Sequence, residues 1–319
     1  MSAELLTASI FSVPVLAFAL GIIAALIRAD LRLPEAVYQA TSIYLLLAIG
    51  IKGGVALREQ SLFEILGPVG ATIALGIVIP VLAFFILRAM TRLSRVDRGA
   101  MAAHYGSTSL VTFTVALVYL DAMAVSYEGY MATLLAVMEV PGILVGLLLA
   151  GRQSRHTSWA TATREVFTSR SVVLLVGGLL IGALAGPVGY EKVEPFFGAL
   201  FTGVLALFLL EMGILAGRRL GSVREAGWGL LAFALLFPLL AGVLGIFAGA
   251  AVGLSQGGAM VLGVLCASAS YIAAPAAVRL ALPTANPGIT LTTSLGITFP
   301  FNLVLGIPIY WAIAQAVIA

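Results

Sequence analysis

The chain carries an internal repeat. Gly99-Ala100-Met101 returns as Gly258-Ala259-Met260, 159 positions later. Lys52-Gly53-Gly54 and Glu211-Met212-Gly213 share that offset, as do Pro141 and Pro300. Matches at one offset across half of a 319-residue chain mark a duplicated unit. If each copy crosses a membrane an odd number of times, the copies have opposite orientation. Inverted repeats of that kind hold substrate at the bilayer midplane between the two halves.

Composition supports the membrane premise. Hydrophobic residues make up 61% of the chain, charged residues 10%, and the mean hydropathy is +1.12. A soluble domain carries roughly 25% charged residues, so this chain lacks the charge to cover a globule with solvated surface. The net charge of +3 does not indicate nucleic acid, because the arginines sit at the ends of apolar runs. One cysteine, Cys266, excludes an internal disulfide, and no His/Cys set has metal-ligand spacing. No transition-metal site and no cofactor are therefore expected.

Apolar stretches of about 20 residues mark membrane spans. The hydropathy predicts ten, an all-α polytopic protein. The first five run 11–28, 34–52, 64–88, 98–119 and 129–150; the second five run 170–187, 196–217, 226–253, 257–281 and 288–317. This divides the chain into a first repeat at 1–150, a polar connection at 151–169 and a second repeat at 170–319. No Lys or Arg precedes the apolar run from Phe11 to Ile27, which reads as a retained first span rather than a cleaved leader.

The basic residues fit that count. The side reached after the odd-numbered spans holds 14 of them, including Arg88, Arg92, Arg95, Arg98, Arg152, Arg155, Arg164, Arg170, Arg218, Arg219 and Arg279. The other side holds 3, namely Lys52, Arg58 and Lys192. The asymmetry predicts both termini outside and the 151–169 connection in the cytoplasm. A bacterial inner membrane is the natural setting.

The fourth and ninth spans are unlike the rest. The fourth contains His104-Tyr105-Gly106-Ser107-Thr108-Ser109 and the ninth contains Cys266-Ala267-Ser268-Ala269-Ser270, followed by Ala273-Ala274-Pro275. The 159-residue offset pairs Ser107 with Cys266 and Ser109 with Ser268. Such runs weaken a helix, and in lipid a broken helix survives only where protein or a cavity surrounds it. A break exposes helix N-termini with free N–H groups and a positive dipole end, which hold an anion without a basic side chain. Freed carbonyls and hydroxyls at the same place suit sodium. Small residues also let helices pack closely, and membrane hydroxyls bond back to their own helix. Repetition in both halves favours the binding reading.

Among the acids, Glu139 in Met138-Glu139-Val140-Pro141 lies inside the fifth span, and an intramembrane carboxylate is a functional candidate by default. Glu211 is expected to pair with Arg218 or Arg219. Asp121 and Glu128 flank an outer loop and are expected to be solvated. His104 reads as a packed histidine, with a protonatable gate as the other possibility.

The residues also carry a resemblance. Ala267-Ser268-Ala269-Ser270, Pro275, Arg279, Pro283, Ala285-Asn286-Pro287, Pro300 and Ile307-Pro308 form its most specific stretch. Pro34-Glu35-Ala36, Gly53-Gly54, Gly106-Ser107-Thr108, Ser126-Tyr127-Glu128 and Val140-Pro141 match more loosely, in order along the chain. At these segments the chain resembles the sodium-dependent bicarbonate transporter family, best known from cyanobacteria. The resemblance implies two inverted five-helix repeats. It implies a core of spans three to five and eight to ten, moving against a scaffold of spans one, two, six and seven. It implies a homotrimer and a small PII-like nucleotide-sensing partner.

By position, the resemblance puts bicarbonate on Gly106, Ser107, Thr108, Ser109, Ser268, Ala269 and Ser270. It puts sodium near the same breaks, at Thr108, Ser268 and Ser270, with Thr293, Ser294 and Thr298 from span ten. Glu139 joins them as the cation-site candidate read from its intramembrane carboxylate, with a helix-packing hydrogen bond as the other reading. Two departures stand out. Tyr271 occupies the place where the family carries an acid, which leaves sodium coupling and its stoichiometry open. The 151–169 connection is short, which leaves the PII-like regulator open.

Sodium-coupled bicarbonate symport by elevator-type alternating access is the first reading. A sodium- or proton-coupled transporter of another small anion, such as a short carboxylate, is the second. A channel or membrane sensor is the third. No nucleophile–base pair or metal set points to an enzyme.

Overall fold

The computed structural model describes residues 11–31, 33–151, 159–223 and 227–318. Arg32, Arg152, Arg155, His156 and Arg224, all counted in the charge pattern or the 151–169 connection, lie outside the described residues. Among the described residues all regular structure is helical. In chain order the helices are α1 (Val13–Leu26), α2 (Glu35–Arg58), α3 (Leu62–Met90), α4 (Arg95–Gly106), α5 (Leu110–Ala122) and α6 (Met131–Ala150). They continue as α7 (Trp159–Phe167), α8 (Arg170–Glu191), α9 (Phe201–Val223), α10 (Trp228–Ala251), α11 (Gln256–Ala267), α12 (Ala273–Ala281) and α13 (Pro287–Val317). A short π-helical turn, Pro195–Ala199, precedes α9.

Eight helical stretches are long and apolar enough to cross a membrane, with α4 and α5 taken together as Arg95–Ala122. The shorter α1 and α11 are also apolar. The helices fall where hydropathy places the runs, because an apolar segment without side-chain partners must satisfy its backbone internally.

Packing pairs α2 with α8 and α1 with α9, while α3, α4 and α6 pack together and α10 packs on α11. Lipid tails are as apolar as leucine, so close backbone approach is what holds such helices. Gly54 of α2 lies against the backbone of Leu179 and Ala183 in α8, and Gly213 of α9 lies against that of Phe18 and Gly21 in α1. Any Cβ at either glycine would meet backbone. These are the two glycines that the 159-residue offset pairs.

The polar connection is not all loop. Its second half forms α7, whose Val166 is buried in a cluster with Ala273, Ala274, Ala277 and Val278. Val166 lies on the buried face of a short amphipathic helix, which hydropathy averaging over the connection does not see.

Two acids depart from expectation. Glu128 is not solvated: its carboxylate accepts from the Ser255 N–H at 2.6 Å and from Ser255 Oγ at 3.1 Å. Ser255 is the N-cap of α11, so Glu128 places a negative charge at that helix N-terminus. Tyr127 helps to hold the loop. Burial, then the Asp121 carboxylate to which it donates at 3.1 Å, push its phenol above its ordinary range. A counterpart latch joins α4 to the turn before α13, where Asp97 accepts from the Asn286 N–H at 2.9 Å and from Ser94 Oγ at 2.6 Å.

Glu211 is buried and accepts from the Leu33 N–H at 3.2 Å. Among the described residues it forms no ion pair with Arg218 or Arg219, because the turn after α1 reaches it first. Glu128→Ala leaves the Ser255 donors without their partner, a loss of roughly 1.5–3 kcal/mol for a charged hydrogen bond. A lower Tm in detergent is the expected result, with Glu128→Gln between the two. Melting at the parent temperature would show that the latch adds nothing.

Candidate functional site

The site lies where two helices break. α4 ends at Gly106, Ser107 takes an extended conformation (φ −97°, ψ 167°), and α5 starts after Ser109. α11 ends at Ala267, Ser268 is likewise extended (φ −84°, ψ 165°), and α12 starts at Ala273. Serine competes for backbone partners, which explains why the helices stop here. Ser109 Oγ accepts from the Thr112 N–H at 3.2 Å, and Ser270 Oγ accepts from the Ala273 and Ala274 N–H groups at 3.3 and 3.2 Å. Each hydroxyl satisfies donors that the new N-terminus would leave bare.

The register differs from the sequence expectation. α4 and α11 have the same length of 12 residues, with N-caps Ser94 and Ser255 and C-caps Ser107 and Ser268. Those boundaries correspond at an offset of 161, not 159. Ser107 therefore matches Ser268, and Ser109 matches Ser270. Caps set the ends of these helices, so the Gly-Ala-Met identity falls two positions out of step.

The breaks are stapled to each other. The Ser109 N–H donates to Ser268 Oγ at 2.8 Å, and the Ser270 N–H donates to the His104 carbonyl at 2.7 Å. His104 is buried, with its Nδ1–H donating to the Ala100 carbonyl at 2.7 Å, and Nε2 has no partner. It is a packed histidine whose carbonyl ties the breaks. Asn302 of α13 donates to the Ala267 carbonyl at 2.9 Å, supporting the second break from behind.

Between them lies a cavity of about 20 Å³, walled by Thr108, Ser109, Leu110, Ser270, Tyr271, Ile272, Ala273 and Glu139, with Leu46, Leu135, Ser171 and Leu175. The N-terminal ends of α5 and α12 both reach this wall, and neither Lys nor Arg does. Glu139, buried in α6, shares this wall with Ser171 at the start of α8. Ser107 and Thr108 are buried, and both hydroxyls lack a partner. Orphaned buried hydroxyls beside two helix N-termini are available to a small anion, and Glu139 supplies one negative charge for a cation.

Of the expected site residues, the structure brings Thr108, Ser109, Ser270 and Glu139 onto this wall. Gly106, Ser107, Ser268 and Ala269 lie in the breaks but off the wall. Thr293, Ser294 and Thr298 stand apart on α13. The first two donate to the Ile289 and Thr290 carbonyls at 2.6 and 2.7 Å, and Thr298 donates to the Ala234 carbonyl at 2.7 Å while accepting from Tyr105 at 2.6 Å. Their hydroxyl protons are taken, which leaves only lone pairs for a cation. α13 does wind as a π-helix over Thr292–Thr298 and Asn302–Gly306, an irregularity common at functional sites.

Ser171 is the wall residue that sequence reasoning missed.

No curated protein matches the chain. A family model described as the Na+-dependent bicarbonate transporter superfamily matches residues 14–315. That match covers nearly the whole sequence, including both broken helices and Glu139, and the chain belongs to the Na+-dependent bicarbonate transporter superfamily.

Proposed function

We propose that this protein takes up bicarbonate together with sodium by elevator-type alternating access. The observation that carries the reading is the unpartnered buried hydroxyl of Thr108 on the cavity wall, with that of Ser107 beside it in the same break. An oxyanion there meets hydroxyl donors and the positive ends of α5 and α12. Sodium beside Glu139 offsets the negative charge that anion and carboxylate would otherwise share. Hydroxyls and freed carbonyls at Thr108, Ser268 and Ser270 are its further ligands, and Thr293, Ser294 and Thr298 contribute oxygen lone pairs from α13. Sodium is the coupling ion, and no cofactor takes part.

In this reading the chain crosses the membrane ten times in two inverted five-helix halves. α4–α5 and α11–α12 are the two broken crossings. α1, α2, α8 and α9 form the scaffold, and α3 to α6 with α10 to α13 form the moving core. The pairing of α2 with α8 and α1 with α9, through glycines that the repeat relates, supports this division. The arginine-rich side faces the cytoplasm, both termini lie outside, and the scaffolds assemble as a homotrimer in a bacterial inner membrane.

Uptake of labelled bicarbonate into proteoliposomes, with and without an inward sodium gradient, tests this directly. Saturable, sodium-stimulated uptake is expected, and uptake indifferent to sodium would sink the coupling. Thr108→Val separates ligand contact from packing. A hydroxyl with no protein partner adds nothing to the fold, so Tm should hold or rise. The apparent KM should rise about tenfold or more, the worth of a hydrogen bond to a charged ligand. A fallen Tm with unchanged KM would make Thr108 structural.

A further inference from the structure

The cavity at the breaks adjoins a second, larger recess. This recess has a volume of about 630 Å³ and opens among Glu35, Gln39, Glu165, Arg170 and Arg279. Four residues belong to both walls: Ser171, Tyr271, Ile272 and Ala273. Only Tyr271 among them carries a ring with a polar tip. The inner cavity, at about 20 Å³, has room for one water or one bare ion. Bicarbonate, with four heavy atoms, fits only when the wall moves to widen the cavity. Exchange with the recess therefore needs a movable partition.

Tyr271 has the properties of one. Its ring meets Phe299 edge-on at 5.3 Å, and its hydroxyl accepts from Ser109 Oγ at 3.3 Å. That bond is long for two hydroxyls, whose usual separation is about 2.7–2.8 Å. The backbone beneath the ring is fixed, because the preceding Ser270 N–H is held by His104 and Ser270 Oγ holds the Ala273 and Ala274 N–H groups. Movement is thus confined to the side chain, which has two rotatable bonds. Ser109 supplies the proton of the Tyr271–Ser109 bond, so Tyr271 keeps its own proton for an oxygen of the ligand.

We propose that Tyr271 is the gate between the recess and the substrate site, closed by the Ser109 hydroxyl and opened by side-chain rotation to pass a small oxyanion. This rests on the transport reading above. It gives the position where the family carries an acid a different task in this chain, one of access and size selection. A shorter side chain at 271 joins the two cavities and leaves the breaks in place.

Thiol labelling tests the gate without requiring transport. Cys266 is buried and is replaced by serine to clear the background. Leu135→Cys then reports on the inner cavity, since Leu135 lines it and not the recess, and Gln39→Cys reports on the recess. A membrane-impermeant methanethiosulfonate is applied to the membrane face at which Gln39→Cys reacts. With Tyr271 present, Leu135→Cys should react slowly. Tyr271→Ala should speed it roughly tenfold or more by raising the open population, with Gln39→Cys unchanged. Tyr271→Phe keeps the ring, protects the fold, and should give a smaller rise through loss of the hydroxyl bond.

Leu135→Cys rates unaltered in both variants overturn the gate, and so does an unaltered Tyr271→Phe rate if the alanine variant does not fold. Altered labelling in a protein that takes up no bicarbonate would sink the proposed substrate and leave the gate standing.

Discussion

Replacing Glu139 by glutamine is expected to abolish most of the sodium stimulation of bicarbonate uptake. The carboxyl group is buried in α6, on the wall of the cavity between the two breaks, and Ser171 of α8 lines the same wall. No other acid and no basic side chain shares that wall. Any cation there is balanced by Glu139, and any anion entering alone is repelled by it. Glutamine has the same shape but carries no charge. Coupling between two sites is typically 1–3 kcal/mol, so sodium stimulation should fall by about tenfold or more. Replacing the buried carboxyl group by an amide of the same shape should leave Tm close to that of the parent. Measuring both separates loss of the ion site from loss of the fold. Full sodium stimulation in Glu139→Gln would remove the acid from the coupling mechanism.

The second large effect is expected from a single methyl group. Gly142 of α6 lies directly against the Gly106 carbonyl and the Ser107 N–H, where α4 breaks. A Cβ there meets backbone on both atoms, and backbone at a break stapled to a second break cannot move aside independently. Gly142→Ala should cost about 1–3 kcal/mol or more by overpacking and displace the Ser107-Thr108 segment. Loss of uptake with a fall in Tm is the expected result. Gly70→Ala in α3 is the control, since a Cβ there meets nothing within 4 Å. It should keep full uptake and, as alanine favours helix by roughly 0.5–1 kcal/mol, a Tm at least that of the parent. Normal uptake by Gly142→Ala would show that the breaks are not held by α6.

The residues differ in how openly the sequence announces them. Hydropathy located the helices because it reports a local requirement, that an apolar stretch in lipid be helical. The breaks were legible because serine and glycine weaken a helix wherever they stand, and Ser107 to Ser109 and Ser268 to Ser270 do interrupt theirs. Glu139 was legible because a charge inside an apolar run is costly anywhere. The register of the repeat was not: identity at Gly99 and Gly258 suggests 159, and the caps at Ser94 and Ser255 put α4 and α11 at 161. Thr293, Ser294 and Thr298 have the right chemistry for a cation site, and donating their protons to nearby carbonyls leaves oxygen lone pairs for a cation.

What the sequence by itself determined is therefore local: a helical membrane protein, two interrupted helices, and one acid beside them. These follow from the free energy of single residues in lipid and in a helix. The tertiary structure alone decided the partnerships. Ser171 and Glu139 come to one cavity wall, Glu128 caps α11 through Ser255, Ser109 holds the Tyr271 hydroxyl, and the Ser270 N–H finds the His104 carbonyl. Each pair is more than 30 residues apart. A hydroxyl, carboxylate or carbonyl carries no mark of which distant donor will reach it. That choice is made only when the helices pack and every buried polar group must find a partner or a ligand.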